Sequence, residues 1–272
     1  MNDVRLAEAG ANAATNAEDM IDPRAAFDLT GRSALVTGAS SGLGWRFAQV
    51  LAACGASVIA TARRTERLEA LARTSPRISY ITADLGVASE RERLIGEAER
   101  RTGGLDVLVN NAGLSDPKPI ERESLDDFAR VLEVNLTAVW HLAKLAGAGM
   151  VERQRGSIVN IASILGLVGS TPLKQTGYTT AKGAVVNLTR ELALQWARKG
   201  VRVNAIAPGW FTSEMTAEMS TESGLAFIAA NGPMPRLGDP KELDGALMLL
   251  ASDAGSFMTG ATIVVDGGWT AR

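Results

Sequence analysis

Cysteine and histidine occur only once each in this chain, as Cys54 and His141. A single cysteine cannot close an intrachain disulfide, so the packed core must hold the fold, and a reducing, cytoplasmic setting is expected. Cys54 falls in an apolar helical run and is read as a buried, inert thiol. His141 falls in a long apolar helix pattern and is read as a packing residue. Basic blocks are absent as well: 28 lysines and arginines against 30 acids leave a net charge near −2, which argues against a nucleic-acid partner. The first 28 residues are rich in alanine, asparagine and acid. They hold no apolar stretch of signal-peptide or membrane-spanning length, and no membrane partner is expected. Residues 1–28 are therefore read as a partly disordered extension, with a short helix around Pro23 to Phe27 capped by Asp22.

What is present fits one α/β domain over residues 29–272, since open parallel sheets of this class run past 200 residues without splitting. Strand-like runs (SALVT, SVIATA, ISYITA, DVLVN, SIVNIA, RVNAIA, TIVVD) alternate with helix-like ones, as a parallel sheet covered on both faces requires. The first strand leads through Gly38, Gly42 and Gly44 into the helical pattern WRFAQVLAACG. Glycine serves where backbone must turn or approach a ligand closely, and free amides at a helix start, aided by the helix dipole, can face a pyrophosphate. Further on, Tyr178 and Lys182 stand four residues apart in a helical segment and so share one face. A free phenol titrates near ~10, and bringing it to neutrality takes about three units, or roughly 4 kcal/mol. One ammonium about 4 Å away supplies roughly that at an effective dielectric of ~20.

TGASSGLG (37–44), ADL (83–85), NNAG (110–113), Asn135 in EVNLT, Ser163 in NIAS, YTTAK (178–182), APG (207–209) and VDGG (265–268) occur in this order. In these segments the chain resembles the classical short-chain dehydrogenase/reductases from about Leu29 to the C-terminus. The resemblance implies a Rossmann-type, doubly wound parallel sheet of about seven strands with helices on both faces. It implies a catalytic set of Asn135, Ser163, Tyr178 and Lys182. In that set Tyr178 is the general acid in carbonyl reduction and Lys182 lowers its pKa and binds the nicotinamide ribose. Ser163 donates to the substrate oxygen, and Asn135 distorts its helix and holds a water linked to Lys182. A nicotinamide cofactor would lie against Gly38, Ser40, Ser41, Gly42, Leu43 and Gly44, with Asp84 and Leu85 beside the adenine. Asn111, Ala112, Gly113, Tyr178, Lys182, Pro208, Gly209 and Thr212 would line its nicotinamide half. No metal site is implied.

The second strand ends at Ala62, where NAD-preferring members of the family resemble one another in carrying an aspartate, and Arg63 and Arg64 follow it. Guanidinium is always charged and can grip two oxygens at once, so NADP(H) is expected over NAD(H), with NAD(H) still admissible. Residues 208–239 read as a substrate lid, and Trp210, Phe211 and Met215, together with Ser163 and Tyr178, are the expected substrate contacts. An apolar lining of this kind favours a hydrophobic ketone or secondary alcohol. Met219 and Phe227 are read either as lining or as anchors of the lid. Long apolar helices over Leu125 to Met150 and Gly177 to Lys199 point to a homodimer or homotetramer. Three other readings stay open: a cofactor-sensing regulator on the same fold, an NAD-preferring alcohol dehydrogenase, and a lyase like the halohydrin dehalogenases. Lys182 and the intact glycine loop speak against the last.

Overall fold

The computed structural model describes residues 22–271. Residues 1–21, which hold most of the expected N-terminal extension, lie outside the described residues. Asp22 caps a 3₁₀ turn over Pro23–Phe27 by accepting from the Arg24 amide, so the short helix expected there is present in its tighter form.

Seven parallel strands make one sheet: β1 (Ser33–Thr37), β2 (Ser57–Ala62), β3 (Ile78–Thr82), β4 (Val107–Asn110), β5 (Gly156–Ile161), β6 (Val201–Pro208) and β7 (Thr262–Val265). Their spatial order is β3-β2-β1-β4-β5-β6-β7. Every residue of β1 and β4 is buried, as central strands covered on both faces must be. One face is packed by α1 (Gly42–Ala53), α2 (Thr65–Ala72) and α8 (Asp244–Ala251) through Phe47, Leu51, Leu68, Leu71 and Leu247. The other face is packed by α3 (Ala88–Thr102), α5 (Ala138–Glu152) and α6 (Thr176–Trp196) through Leu94, Leu142, Met150 and Leu192. The expected doubly wound architecture is thus the one observed.

The strand order reverses between β1 and β4, and in open α/β sheets that switch point leaves a crevice at the carboxyl ends of the strands. Thr37, the last residue of β1, ties the two sides of it together. Its hydroxyl accepts from the Asn111 and Ala112 amides at 2.9 Å each, and its carbonyl accepts from Asn111 Nδ2 at 2.9 Å. Gly38 follows with φ +66°, and a Cβ there would lie 2.8 Å from Ala112 Cα. The two loops therefore touch, and only glycine fits both the turn and the contact.

The apolar run from Leu125 to Met150 is one helical rod with a defect: α4 (Leu125–Leu132) passes through a π-helical segment, Glu133–Thr137, into α5. Asn135 is the buried residue of that segment. After β6 the chain forms a 3₁₀ segment (Glu214–Ser220) and α7 (Glu222–Asn231). It then closes on itself: the Thr212 amide donates to Gly238 O at 3.1 Å and the Gly238 amide to Trp210 O at 2.8 Å. Met219 and Phe227 join Trp210 and Trp269 in a separate small core, which makes them anchors of this segment. Among the described residues no helix is long and apolar enough to cross a membrane.

Candidate active site

A cleft of about 790 Å³ runs along the switch point, and a smaller cavity of about 60 Å³ opens beside it under the 208–239 segment. Ser163 and Tyr178 belong to the walls of both. Ser163 stands just past the end of β5, where its Oγ accepts from the Leu165 amide at 3.1 Å and starts a 3₁₀ turn. That bond uses an acceptor lone pair, so the hydroxyl proton stays available to a partner across the cavity. Tyr178, in the first turn of α6, lines the same cavity walls as Ser163. Burial pushes the Tyr178 phenol above its ordinary value, and Ser163 opposes that push.

Lys182 sits one turn further along α6, only 3% exposed, with Nζ donating to Ile161 O at 2.7 Å and lying 5.6 Å from the centre of the Tyr178 ring. Burial lowers its pKa to about 8. The ammonium turns to a strand-end carbonyl, and its dry surroundings disfavour its own charge. The geometry leaves Tyr178 protonated near neutrality, the state that a proton donor needs.

Asn135 lies buried in the π-helical segment. Its Nδ2 donates to Leu114 O and Val131 O at 2.9 Å each, and its Oδ1 accepts from the Leu114 amide at 3.3 Å. Both side-chain protons are therefore spent on backbone, pinning the loop after β4 to the π-helical segment.

The cofactor half can be tested residue by residue. Gly38, Ser40, Ser41, Gly42, Leu43, Arg63, Arg64, Asp84, Leu85, Asn111, Ala112, Gly113, Pro208 and Gly209 all line the cleft, together with Tyr178 and Lys182. Gly44 and Thr212 do not. A Cβ on Gly44 would lie 2.4 Å from both Gly38 O and Asn111 Nδ2, so its role is close packing beneath the loop. Gly44→Ala is expected to cost roughly 1–3 kcal/mol through overpacking and to lower the melting temperature before any ligand is added. Thermal unfolding of the two proteins checks this. Thr212 is exposed because the bridge between Phe211 and Gly238 turns it outward, and the cleft is lined instead by Ser213, Glu214, Met215 and Thr216.

Phe211 lines the long cleft with Ser163 and Tyr178 but is absent from the walls of the smaller cavity. Its ring lies against Gly238, where a Cβ would come within 2.5 Å of Phe211 Cε1, and the side chain is buried in the main core. Trp210 and Met215 do line the small cavity. Ser115 and Gln175, which the motifs did not single out, join them there with Ser115 Oγ donating to Gln175 Oε1 at 2.6 Å. Gln175 could have been found as the residue before the first turn of α6, three positions ahead of Tyr178.

A dinucleotide fits this cleft on the evidence of its own walls. Ser41 precedes α1 without capping it by its side chain, so the first amides of a twelve-residue helix are left without a side-chain acceptor beside the glycine loop. Arg63 and Arg64 stand at the far end of the cleft, with no acid at Ala62.

Comparisons with known proteins agree. A family profile described as Enoyl-(Acyl carrier protein) reductase matches residues 38–270. Nodulation protein G of Rhizobium sp. (strain N33) is 40% identical, with 89% of this chain and 98% of that protein covered. Gluconate 5-dehydrogenase of Gluconobacter oxydans (strain 621H) is 37% identical, covering 90% and 96%. The crystal structure of a gluconate 5-dehydrogenase from Burkholderia cenocepacia J2315 in complex with NADP and tartrate superposes with a TM-score of 0.86 at 33% identity, covering 91% and 98%. The chain belongs to the short-chain dehydrogenase/reductase family and is an NAD(P)-dependent oxidoreductase.

Proposed function

We propose that the protein is an NADPH-preferring reductase that interconverts a compact, largely apolar ketone and its secondary alcohol. The observation that carries this reading is the position of Ser163 and Tyr178, which line both the small cavity and the long cleft where the two meet. Two hydroxyl donors on the wall of one cavity suit a carbonyl oxygen, which gains negative charge as the carbonyl carbon is reduced. When bound, the nicotinamide supplies the hydride to that carbon. Ser163 holds the oxygen, Tyr178 gives it the phenolic proton, and Lys182 lies one helical turn behind. The Asn135 bonds keep the loop of Gly113 and Leu114 fixed against the same end of the cleft.

The cavity is small, and Ile164, Leu165, Leu173 and Met215 give it apolar walls. Trp210 Nε1 is buried there with no partner among the described residues, and the Ser115–Gln175 pair adds a polar strip. These features favour an apolar body bearing one further polar group away from the carbonyl. A panel of aryl, alicyclic and β-keto carbonyls, assayed separately with NADPH and NADH, tests the reading. Consumption of NADPH with the compact cyclic members supports it, and turnover confined to long-chain or sugar-like carbonyls sinks the substrate class.

The NADPH preference rests on Ala62, Arg63 and Arg64. Ala62→Asp combined with Arg63→Leu should move the ratio of kcat/KM values toward NADH by about tenfold, since each charge contact with a phosphate contributes roughly 1–2 kcal/mol. An unchanged ratio refutes that assignment. Leu125, Trp140 and Leu194 are exposed along α4, α5 and α6, which supports a homodimer or homotetramer built on these helices. Light scattering of the eluting protein decides it.

A further inference from the structure

Arg64, placed in the turn before α2, does not project freely into the cleft. Its Nε and Nη2 donate to Ser40 Oγ at 3.2 and 3.1 Å, and Nη2 also reaches Ser41 Oγ at 2.8 Å and Glu214 Oε2 at 2.9 Å. Ser40 and Ser41 belong to the glycine loop, whereas Glu214 comes from the segment over the substrate cavity, 150 residues further along the chain. Glu214 opens the 3₁₀ segment there, directly after Ser213, whose hydroxyl accepts from the Thr216 amide at 3.3 Å. All of these residues line the one long cleft. Hydrogen bonding to Arg64, and then to Ser41, holds the Glu214 carboxyl below the ordinary carboxylate range, so it is an anion at neutral pH.

A carboxylate thus occupies the guanidinium that would grip a 2′-phosphate. The two groups compete, because both are anions seeking the same N–H donors and they repel each other at contact distance. We propose that Glu214 is a specificity-determining residue that competes with the cofactor's 2′-phosphate for Arg64, so that arrival of the phosphate frees the first turn of the substrate-covering segment. The proposal rests on the NADPH reading above. A cofactor without the phosphate leaves the Arg64–Glu214 pair intact. Both partners are substantially exposed, with side chains 44% and 54% accessible, so the competition is expected to be modest.

The test uses adenosine 2′,5′-bisphosphate and adenosine 5′-monophosphate as probes, bound to the full chain and to Glu214→Gln and measured by calorimetry. The parent protein should bind the bisphosphate more tightly. Glu214→Gln should tighten the bisphosphate about threefold further and leave the monophosphate unchanged, in keeping with an exposed ion pair. Limited proteolysis gives a second readout: the bisphosphate should raise cleavage within residues 213–221 of the parent protein, and Glu214→Gln should be cleaved as readily without it. If the parent protein prefers the bisphosphate but the substitution shifts neither ligand, or shifts both equally, the competition is overturned while the NADPH reading stands. If the parent protein binds both probes alike, the NADPH reading fails and this proposal with it.

Discussion

Tyr178→Phe is expected to lower turnover by roughly 10³-fold or more while leaving NADPH affinity within about twofold. The loss falls in the range known for removal of a positioned general acid. Binding survives because the cleft is built from the glycine loop, the loop after β4 and the turn before α2, none of which depends on the phenolic oxygen. The substitution takes away the proton that must reach the carbonyl oxygen as the carbon is reduced. Fluorescence titration of NADPH beside a turnover assay separates the two effects. A variant that turns over at a tenth of the parent rate would remove Tyr178 from the role of acid.

The protonation state of this residue also sets a pH dependence. Because burial raises the Tyr178 pKa, the donor form persists through neutrality and is lost only at alkaline pH. Ketone reduction should therefore hold its kcat across the neutral range and fall at high pH, whereas alcohol oxidation, which needs the phenolate, should rise over the same interval. Rate profiles recorded in both directions with one alcohol–ketone pair check this.

Lys182→Met is expected to abolish turnover and yet to stabilise the ligand-free protein. The ammonium is almost fully buried, its one hydrogen bond runs to Ile161 O, and burial lowers its pKa from 10.5 to about 8. Below pH 8 it is charged in both the folded and the unfolded chain, and the folded chain alone carries the desolvation penalty. A depression of that size corresponds to about 3 kcal/mol, and the carbonyl left without a donor gives part of it back, for a net gain of roughly 1–2 kcal/mol. The sign then fixes a window. Between about pH 8 and 10.5 the folded protein releases this proton before the unfolded chain does, so the parent's stability rises with pH through that range. The advantage of Lys182→Met should shrink over the same interval. Melting temperatures of both proteins from pH 7 to 10 measure it, and a variant that melts lower at pH 7 would show that Lys182 supports the fold rather than strains it. Such strain is the ordinary condition of a functional group kept where stability alone would not put it.

Much of this site was legible because it depends on local spacing. Four residues of helix bring Tyr178 and Lys182 to one face, a strand end delivers Ser163, and glycines mark the loop that must touch Ala112. The resemblance implied a local distortion of the helix at Asn135, and the π-helical segment is that distortion. The departures all involve partners that are distant in sequence. Phe211 and Thr212 exchange core and solvent because Gly238 pairs with the strand they leave. Glu214 meets Arg64 across 150 residues. The arithmetic for Lys182 treated it as a charge acting on a phenol and left out its own burial, which lowers its pKa.

Deuterium transfer tests the central claim most directly. NADPH carrying deuterium at C4 of the nicotinamide, on the transferred face, is incubated with the protein and an alicyclic ketone, and the alcohol is examined by mass spectrometry. The account predicts one deuterium on the carbinol carbon with the parent protein and no alcohol with Tyr178→Phe. NADPH that binds but yields no labelled alcohol from any carbonyl of the panel would contradict it.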